Sequence, residues 1–353
     1  MAEALSPQPA LLDPQRRAIN YLRISVTDRC NYRCTYCLPD DGVDHVDRAD
    51  ILSFEELCRL VSCFAAIGVR RVRLTGGEPT VRRDLVRLVA MIRQLPGIDE
   101  IALSTNGHLL TQLARPLRAA GIDRLNVSLD TLDASRFARI TGGGDLPRVL
   151  AGIEAARAAG FSSIKLNAVA IKGFNDGEIG ALCDYAWTRG LVPRFIEQMP
   201  MAGGATYVPG QLLSAAEIRA LVAAAFPGTN VVPDDGGAAR GAGPARYLRL
   251  ADAGASGLDA SDTGAPPRRF GIISPMTEHF CDTCNRVRLS AAGALHTCLA
   301  YDDAVDLRKH LRTQGEAAVI AAIRAAVATK RDGHQFGLIG IGGPRKAMIQ
   351  IGG

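Results

Sequence analysis

Cys30-Asn31-Tyr32-Arg33-Cys34-Thr35-Tyr36-Cys37 sets three thiols at the spacing Cys-x3-Cys-x2-Cys. A [4Fe–4S] cube takes thiolates at its corners, usually four of them, so a compact triplet leaves one iron open to an exchangeable ligand. The competing reading is a zinc knuckle, but zinc sites want four ligands and commonly draw them from paired Cys-x2-Cys units. No fourth Cys or His follows at such a spacing: Asp40 and Asp41 come first, and His45 lies eight residues beyond Cys37. Three buried structural thiols fit poorly in so polar a segment. An open Fe–S site is the better reading.

Just upstream, Leu22, Ile24 and Val26 alternate with Arg23, Ser25 and Thr27, the pattern of a half-buried strand feeding the cysteine loop. Downstream, Ser53-Phe54-Glu55-Glu56 is a capping box opening a helix to about Gly68. Residues 69–74 then form a strand that ends at Thr75 and Gly76-Gly77-Glu78-Pro79. The unit repeats, with strands expected at 101–104, 125–129, 164–171 and 192–196 and helices between them. Asn175-Asp176-Gly177-Glu178 and Ser214-Ala215-Ala216-Glu217 read as caps of two of those helices. Such alternation implies parallel strands joined by right-handed crossovers. Polar and glycine residues gather where strands end, at Gly76–Pro79, Ser104–Gly107, Ser128–Asp130 and Met199, the mouth of an α/β barrel. About six units are countable, fewer than the eight of a closed barrel, and periodicity leaves a doubly wound open sheet as the alternative.

A second triplet, Cys281-Asp282-Thr283-Cys284 with Cys298 fourteen residues on, lies near His279 and His296, so a Cys3His zinc site competes with a cluster. Arg286 and Arg288 share a strand parity beside it, so two guanidiniums project to one side, where they suit a polyphosphate or, alternatively, form a solvated basic face. The C-terminal Ile351-Gly352-Gly353 ends in glycines that ordinarily fray.

The 353 residues are 47% apolar and 22% charged, a composition suited to a large buried core. Net charge is only +5, yet 36 of 41 basic residues are arginine, a bias open to genomic composition or phosphate recognition. With aromatics at 5% and the basic residues scattered, a nucleic-acid groove is not indicated. No run of eighteen apolar residues suggests a membrane span, and the polar, proline-containing residues 1–17 read as a flexible leader without a signal-peptide core. Nine cysteines in such a chain point to a reducing, cytoplasmic setting; Cys58, Cys63 and Cys183 sit in apolar patterns as core fillers. Residues 18–230 and 231–353 are expected as a barrel and a C-terminal domain, with Gly, Ala, Asp, Ser and Pro enriched over 233–269 and a mobile loop at 251–267.

The first triplet with Tyr36 before its third cysteine, followed by Gly76-Gly77-Glu78-Pro79, resembles the radical S-adenosylmethionine (SAM) superfamily. Adding the second triplet, the enclosed Cys284-Asn285-Arg286-Val287-Arg288-Leu289 and the terminal glycines, residues 21–353 resemble the molybdenum cofactor biosynthesis protein A (GTP 3′,8-cyclase) family. The resemblance implies an open partial (β/α)6 TIM-like barrel with a C-terminal extension bearing a second Fe–S cluster. It implies two [4Fe–4S] clusters, one on Cys30, Cys34 and Cys37 and one on Cys281, Cys284 and Cys298. Tyr36, Gly77, Ser128, Arg194 and Met199 would then meet SAM, with the glycines letting backbone approach its methionyl end. Arg23, Arg73, Ser104 or its neighbour Thr105, Lys165, Arg286 and Arg288 would meet GTP, and Arg23, Arg286, Arg288, Gly352 and Gly353 would serve catalysis. Implied partners are a flavodoxin- or ferredoxin-type reductant and cyclic pyranopterin monophosphate synthase as the next enzyme, with a homodimer among the states left open. A peptide- or protein-modifying radical SAM maturase and a non-catalytic zinc protein are the rival readings.

Overall fold

The structure is a computed structural model and describes residues 10–202, 205–234, 243–253, 267–337 and 343–352. Alternating units open the chain: β1 (Tyr21–Ser25), α1 (Phe54–Ala65), β2 (Arg71–Thr75), α2 (Leu85–Arg93), β3 (Glu100–Thr105), α3 (Leu110–Ala120) and β4 (Arg124–Ser128). After α4 (Ala134–Thr141) and α5 (Leu146–Ala158) come β5 (Ile164–Ala170), α6 (Ile179–Trp187), β6 (Val192–Glu197) and α7 (Ala215–Ala225). The remainder supplies β7 (Thr229–Pro233), β8 (Arg246–Asp252), β9 (Arg269–Ile273), β10 (Arg286–Leu289), β11 (Ala294–His296), β12 (Val305–Asp306), α8 (Leu307–Thr313) and α9 (Glu316–Ala328).

One open sheet runs β12-β11-β10-β1-β2-β3-β4-β5-β6-β9-β8-β7. The six expected strands pair in parallel, and the C-terminal region widens both edges: β10 joins β1 and β9 joins β6, both parallel. Antiparallel strands then blunt each edge, β11 and β12 on one side, β8 and β7 on the other. Sequence alternation did not show α4, β7 or β9, which are short and lie outside the regular repeat. Helices pack serially, α9 on α1, α1 on α2, α2 on α3, α3 on α5 and α6 on α7. Strands β1 to β6 lie in sequence order without reversal, so right-handed crossovers put their helices in one layer on one face and exclude the doubly wound alternative.

Outward residues such as Leu22, Ile24, Val72, Leu74, Leu103, Val127, Leu166, Phe195, Phe270 and Val287 are buried under that layer. The opposite parity is polar yet also largely buried: Ser25, Arg73, Asn126, Lys165, Arg194, Arg286 and Arg288 are all under a tenth exposed. The strand at 21–25 is therefore not half-buried against solvent; its polar side lines a charged lumen. Alternation reports polarity, and here the polar side is interior.

Caps at Ser53 and Ser214 form as expected, each a reciprocal box with Glu56 and Glu217. Asn175 does not cap. It is fully buried and ties strand ends together, donating from Nδ2 to the Asp130 and Val169 carbonyls (2.8 and 2.9 Å) and accepting from Ile171 N–H (2.8 Å). Of the expected flexible leader, residues 1–9 lie outside the described residues, but 10–17 are fixed: Leu11, Asp13 and Arg17 are buried, and Leu12 bridges Ala18. Most of the expected 251–267 loop and Gly353 also lie outside the described residues.

Candidate active site

A cavity of about 320 Å³ opens at the C-terminal ends of the strands, and both cysteine triplets face it. Cys30, Cys34 and Cys37 come from the loop after β1; Cys281 and Cys284 precede β10, and Cys298 follows β11. All six are free and partly buried. Among the described residues no three His, Cys, Asp or Glu donors converge where a single ion could sit. Each triplet turns three thiols to the cavity, a donor set that fits a cube with one corner left open. His279 and His296 do not line the cavity: His279 Nδ1 meets His334 Nε2 at 3.2 Å, and His296 is fully buried on β11.

Around the first triplet, the β2 loop is held by the cysteine loop itself. Gly77 N–H donates to the Thr27 carbonyl and Glu78 N–H to the Arg29 carbonyl, both at 2.8 Å. A Cβ on Gly76 would stand 2.4 Å from the Thr27 carbonyl oxygen, and one on Gly77 2.3 Å from that of Arg29. The glycines are thus required by the approach of two protein loops; room for a ligand is not what demands them. Glu78 is buried and accepts from Thr80 N–H (3.0 Å), Thr80 Oγ1 (2.5 Å), Asn106 N–H (2.6 Å) and Thr105 Oγ1 (2.7 Å). Tyr36 donates to Asp130 Oδ2 (2.8 Å), while Val169 N–H reaches Asp130 Oδ1 (2.8 Å). Burial pushes the Asp130 carboxyl up to about 6 against those two hydrogen bonds. Ser128, Arg194 and Met199 share the wall.

Cationic residues crowd the other side. Arg288, Arg23 and Arg73 stand in register across β10, β1 and β2, so they line one row facing the cavity. Arg73 Nε donates to Tyr21 Oη and its Nη1 to Ser104 Oγ (3.3 Å). Arg194 Nε donates to Asn167 Oδ1 (2.9 Å). Among the described residues, Arg73, Arg194, Arg286 and Arg288 have no carboxylate at salt-bridge distance, and the buried Arg194 Nη2 and Arg286 Nε lack a hydrogen-bond acceptor. Burial and then Arg288 hold Arg23 well below the ordinary guanidinium range. Tyr21 is pushed up by burial, but Arg73 and Arg23 reverse this and leave its phenol lowered. Such a set calls for an anion.

Ser104 and Thr105 are separated by strand parity. Ser104 shares the inward side and meets Arg73, whereas Thr105 spends its proton on Glu78 and accepts from Gly107 N–H (3.1 Å), so its hydroxyl is occupied. Lys165 does not line the main cavity. It lies beneath, with Tyr21, Arg73, Arg124, Arg194 and Tyr247, donating to Tyr247 Oη at 2.7 Å. Up to Gly352 the tail is fixed: Met348 and Ile349 join the wall, Gly352 is buried at φ +73°, and its carbonyl accepts from Arg288 Nη1. Asp130 lies where the strand-end pattern put it, whereas Tyr21, Asn126 and Asn167 were not foreseen as wall residues. Carrying the inward parity back from each strand end would have found all three.

A family model for the radical SAM superfamily matches residues 24–186, and one for molybdenum cofactor synthesis C matches 192–336. A GTP 3′,8-cyclase of Rhodopseudomonas palustris (strain TIE-1) is 45% identical over 92% of this chain and 90% of its own length. That of Pelotomaculum thermopropionicum is 44% identical over 97% and 99%. GTP 3′,8-cyclase 1 of Pseudomonas aeruginosa is 44% identical over 93% and 95%. With two triplets and an anion-seeking wall on one cavity, and kinship along nearly its whole length, the chain belongs to the radical SAM GTP 3′,8-cyclase family.

Proposed function

We infer that this chain converts GTP to (8S)-3′,8-cyclo-7,8-dihydroguanosine 5′-triphosphate, by removal of the ribose 3′ hydrogen and joining of C3′ to guanine C8, in molybdenum cofactor biosynthesis. The carrying observation is that both cysteine triplets and Arg23, Arg73, Arg194, Arg286 and Arg288 face one cavity. When bound, the reduced first cluster and SAM supply a 5′-deoxyadenosyl radical that takes the hydrogen. Cys30, Cys34 and Cys37 would hold that cluster, with Tyr36, Gly77, Ser128, Arg194 and Met199 around SAM. Arg23, Arg73, Ser104, Arg286 and Arg288 would fix a substrate of about four negative charges through forked, charge-assisted hydrogen bonds. Holding the triphosphate against one wall and the base at Cys281, Cys284 and Cys298 sets C3′ and C8 in a near-attack geometry. Lys165 lies beneath that wall, held by Tyr247, and Gly352, through Arg288, closes it. Glu78 and Asp130 hold the SAM side by gripping Thr105 and Tyr36.

A flavodoxin- or ferredoxin-type donor, cyclic pyranopterin monophosphate synthase as consumer of the product, a cytoplasmic setting and a homodimer extend the reading. Among the described residues, no helix is long and apolar enough to cross a membrane. The test uses anaerobically reconstituted protein with dithionite, SAM and GTP, following 5′-deoxyadenosine, GTP and iron together. About eight irons per chain, from two cubes, with GTP-dependent 5′-deoxyadenosine is the expected result. SAM cleavage without GTP consumption would instead favour a maturase.

A further inference from the structure

The amino-terminal arm ends in a buried guanidinium that takes no part in the cavity wall. Arg17 directs all five of its N–H groups to acceptors. Nε donates to Asp13 Oδ2 (2.5 Å), and Nη2 to Gln15 Oε1 (3.0 Å) and the Arg331 carbonyl (2.7 Å). Nη1 donates to the carbonyls of Asp332 and Cys281, each at 2.7 Å. Asp13 is fixed in turn, its Oδ1 accepting from Arg17 N–H at 2.9 Å and its side chain fully buried. Three and four residues further on, Asn20 and Tyr21 N–H both donate to the Asn285 carbonyl (3.1 and 3.2 Å), and Asn285 Nδ2 donates to Asn20 Oδ1 (3.0 Å). The arm therefore grips the second triplet on both sides of its Cys281–Cys284 turn.

The turn carrying Arg331 and Asp332 belongs to the same cradle. A Cβ on Gly333 would stand 3.5 Å from Cys281 Cβ and 3.6 Å from its Sγ, so that turn backs the ligand directly. Tyr301 Oη donates to the Gly333 carbonyl at 3.2 Å, linking the turn to the loop after Cys298. One side chain thus joins three segments far apart in sequence around the triplet.

We propose that Arg17, held by Asp13, is a positioning residue for the second cluster, locking the Cys281 ligand loop against the 331–333 turn. No rearrangement of a surface lysine could imitate it, because a single ammonium cannot span five acceptors set in a fork. The proposal rests on the two-cluster reading above, and its test separates the two.

Wild type, Arg17→Lys and Asp13→Asn are reconstituted anaerobically, and iron, the spectroscopic signal and midpoint potential of each cluster, and SAM and GTP affinity are measured. Arg17→Lys should hold the second cluster at least about tenfold more weakly, the cost of losing an outer-sphere partner of a ligand. GTP affinity should fall with it, while the first-cluster signal and SAM affinity stay at wild-type levels and show that the barrel is folded. Asp13→Asn, which takes the buried counter-charge from Arg17 but keeps one side-chain oxygen as acceptor, should shift the second-cluster potential with iron retained. Arg17→Lys and Asp13→Asn proteins with full iron, unchanged second-cluster potential and unchanged GTP affinity would overturn the assignment. Wild-type protein that takes up only one cube would overturn the two-cluster reading instead.

Discussion

At the residue scale, the cavity wall separates neighbours that sequence could not tell apart. Ser104 faces Arg73, while Thr105 is engaged with Glu78. Ser104→Ala should raise KM for GTP by roughly two- to tenfold, the worth of a neutral hydrogen bond. Thr105→Val should instead weaken SAM binding, because Glu78 loses a buried donor; steady-state kinetics with each ligand varied distinguish them. Lys165 carries a pH signature. Burial, then Arg194, Arg124 and Arg73, lowers its ammonium to about 7. A polyphosphate above it favours the charged form, so GTP binding should take up a proton above pH 7 and affinity should fall as pH rises. Lys165→Gln should flatten that slope, read by calorimetry in buffers of different ionisation enthalpy. Stability runs the other way: above about pH 7 the unfolded chain keeps a proton the folded lysine has lost, so the ligand-free protein gains stability until the ordinary lysine range is reached.

Among the elements, the two loops that build the first triplet are interlocked. Gly77→Ala would drive a Cβ into the Arg29 carbonyl, one residue before Cys30. Loss of the first cluster with the second retained is the expected result, seen in iron content and in the separate spectroscopic signals. In the arm, Arg16 adopts φ 60° at the turn between Asp13 and Arg17, a left-handed conformation that a side chain resists. Arg16 is exposed, so Arg16→Gly should relieve strain without losing a buried contact, raising stability by up to about 1 kcal/mol. Equal or lower stability in denaturant unfolding would show that the turn holds no such strain. The arm itself was misjudged from sequence. Its polar, proline-containing composition looks like a leader, but Asp13 and Arg17 are polar residues paired in the interior.

For the whole molecule, the consequence of so many interior cations is a cavity that repels itself until an anion enters. GTP at about a hundred times its Kd should stabilise the folded protein by about 2.7 kcal/mol. Thermal melts should show this with GTP and far less with sulfate at matched ionic strength; equal shifts would mean that charge is screened without a built site.

Much of this was legible in the chain. Cysteine spacing at 30–37 and 281–298, the paired parity of Arg286 and Arg288, and the repeating strand-helix units are local features, and local spacing dictates which side chains share a loop or a strand face. They pointed to strand–helix units, two three-thiol sets and a paired cationic strand face, while a doubly wound sheet, zinc and a solvated face stayed open on spacing alone. What only the tertiary structure decided depends on pairing between distant segments. It placed β9 and β10 at opposite edges of the barrel, turned the polar side of β1 inward, tied Gly352 to Arg288, and carried Arg17 across to Cys281. Register and burial are set by contacts between residues hundreds of positions apart, and no periodicity along the chain records them.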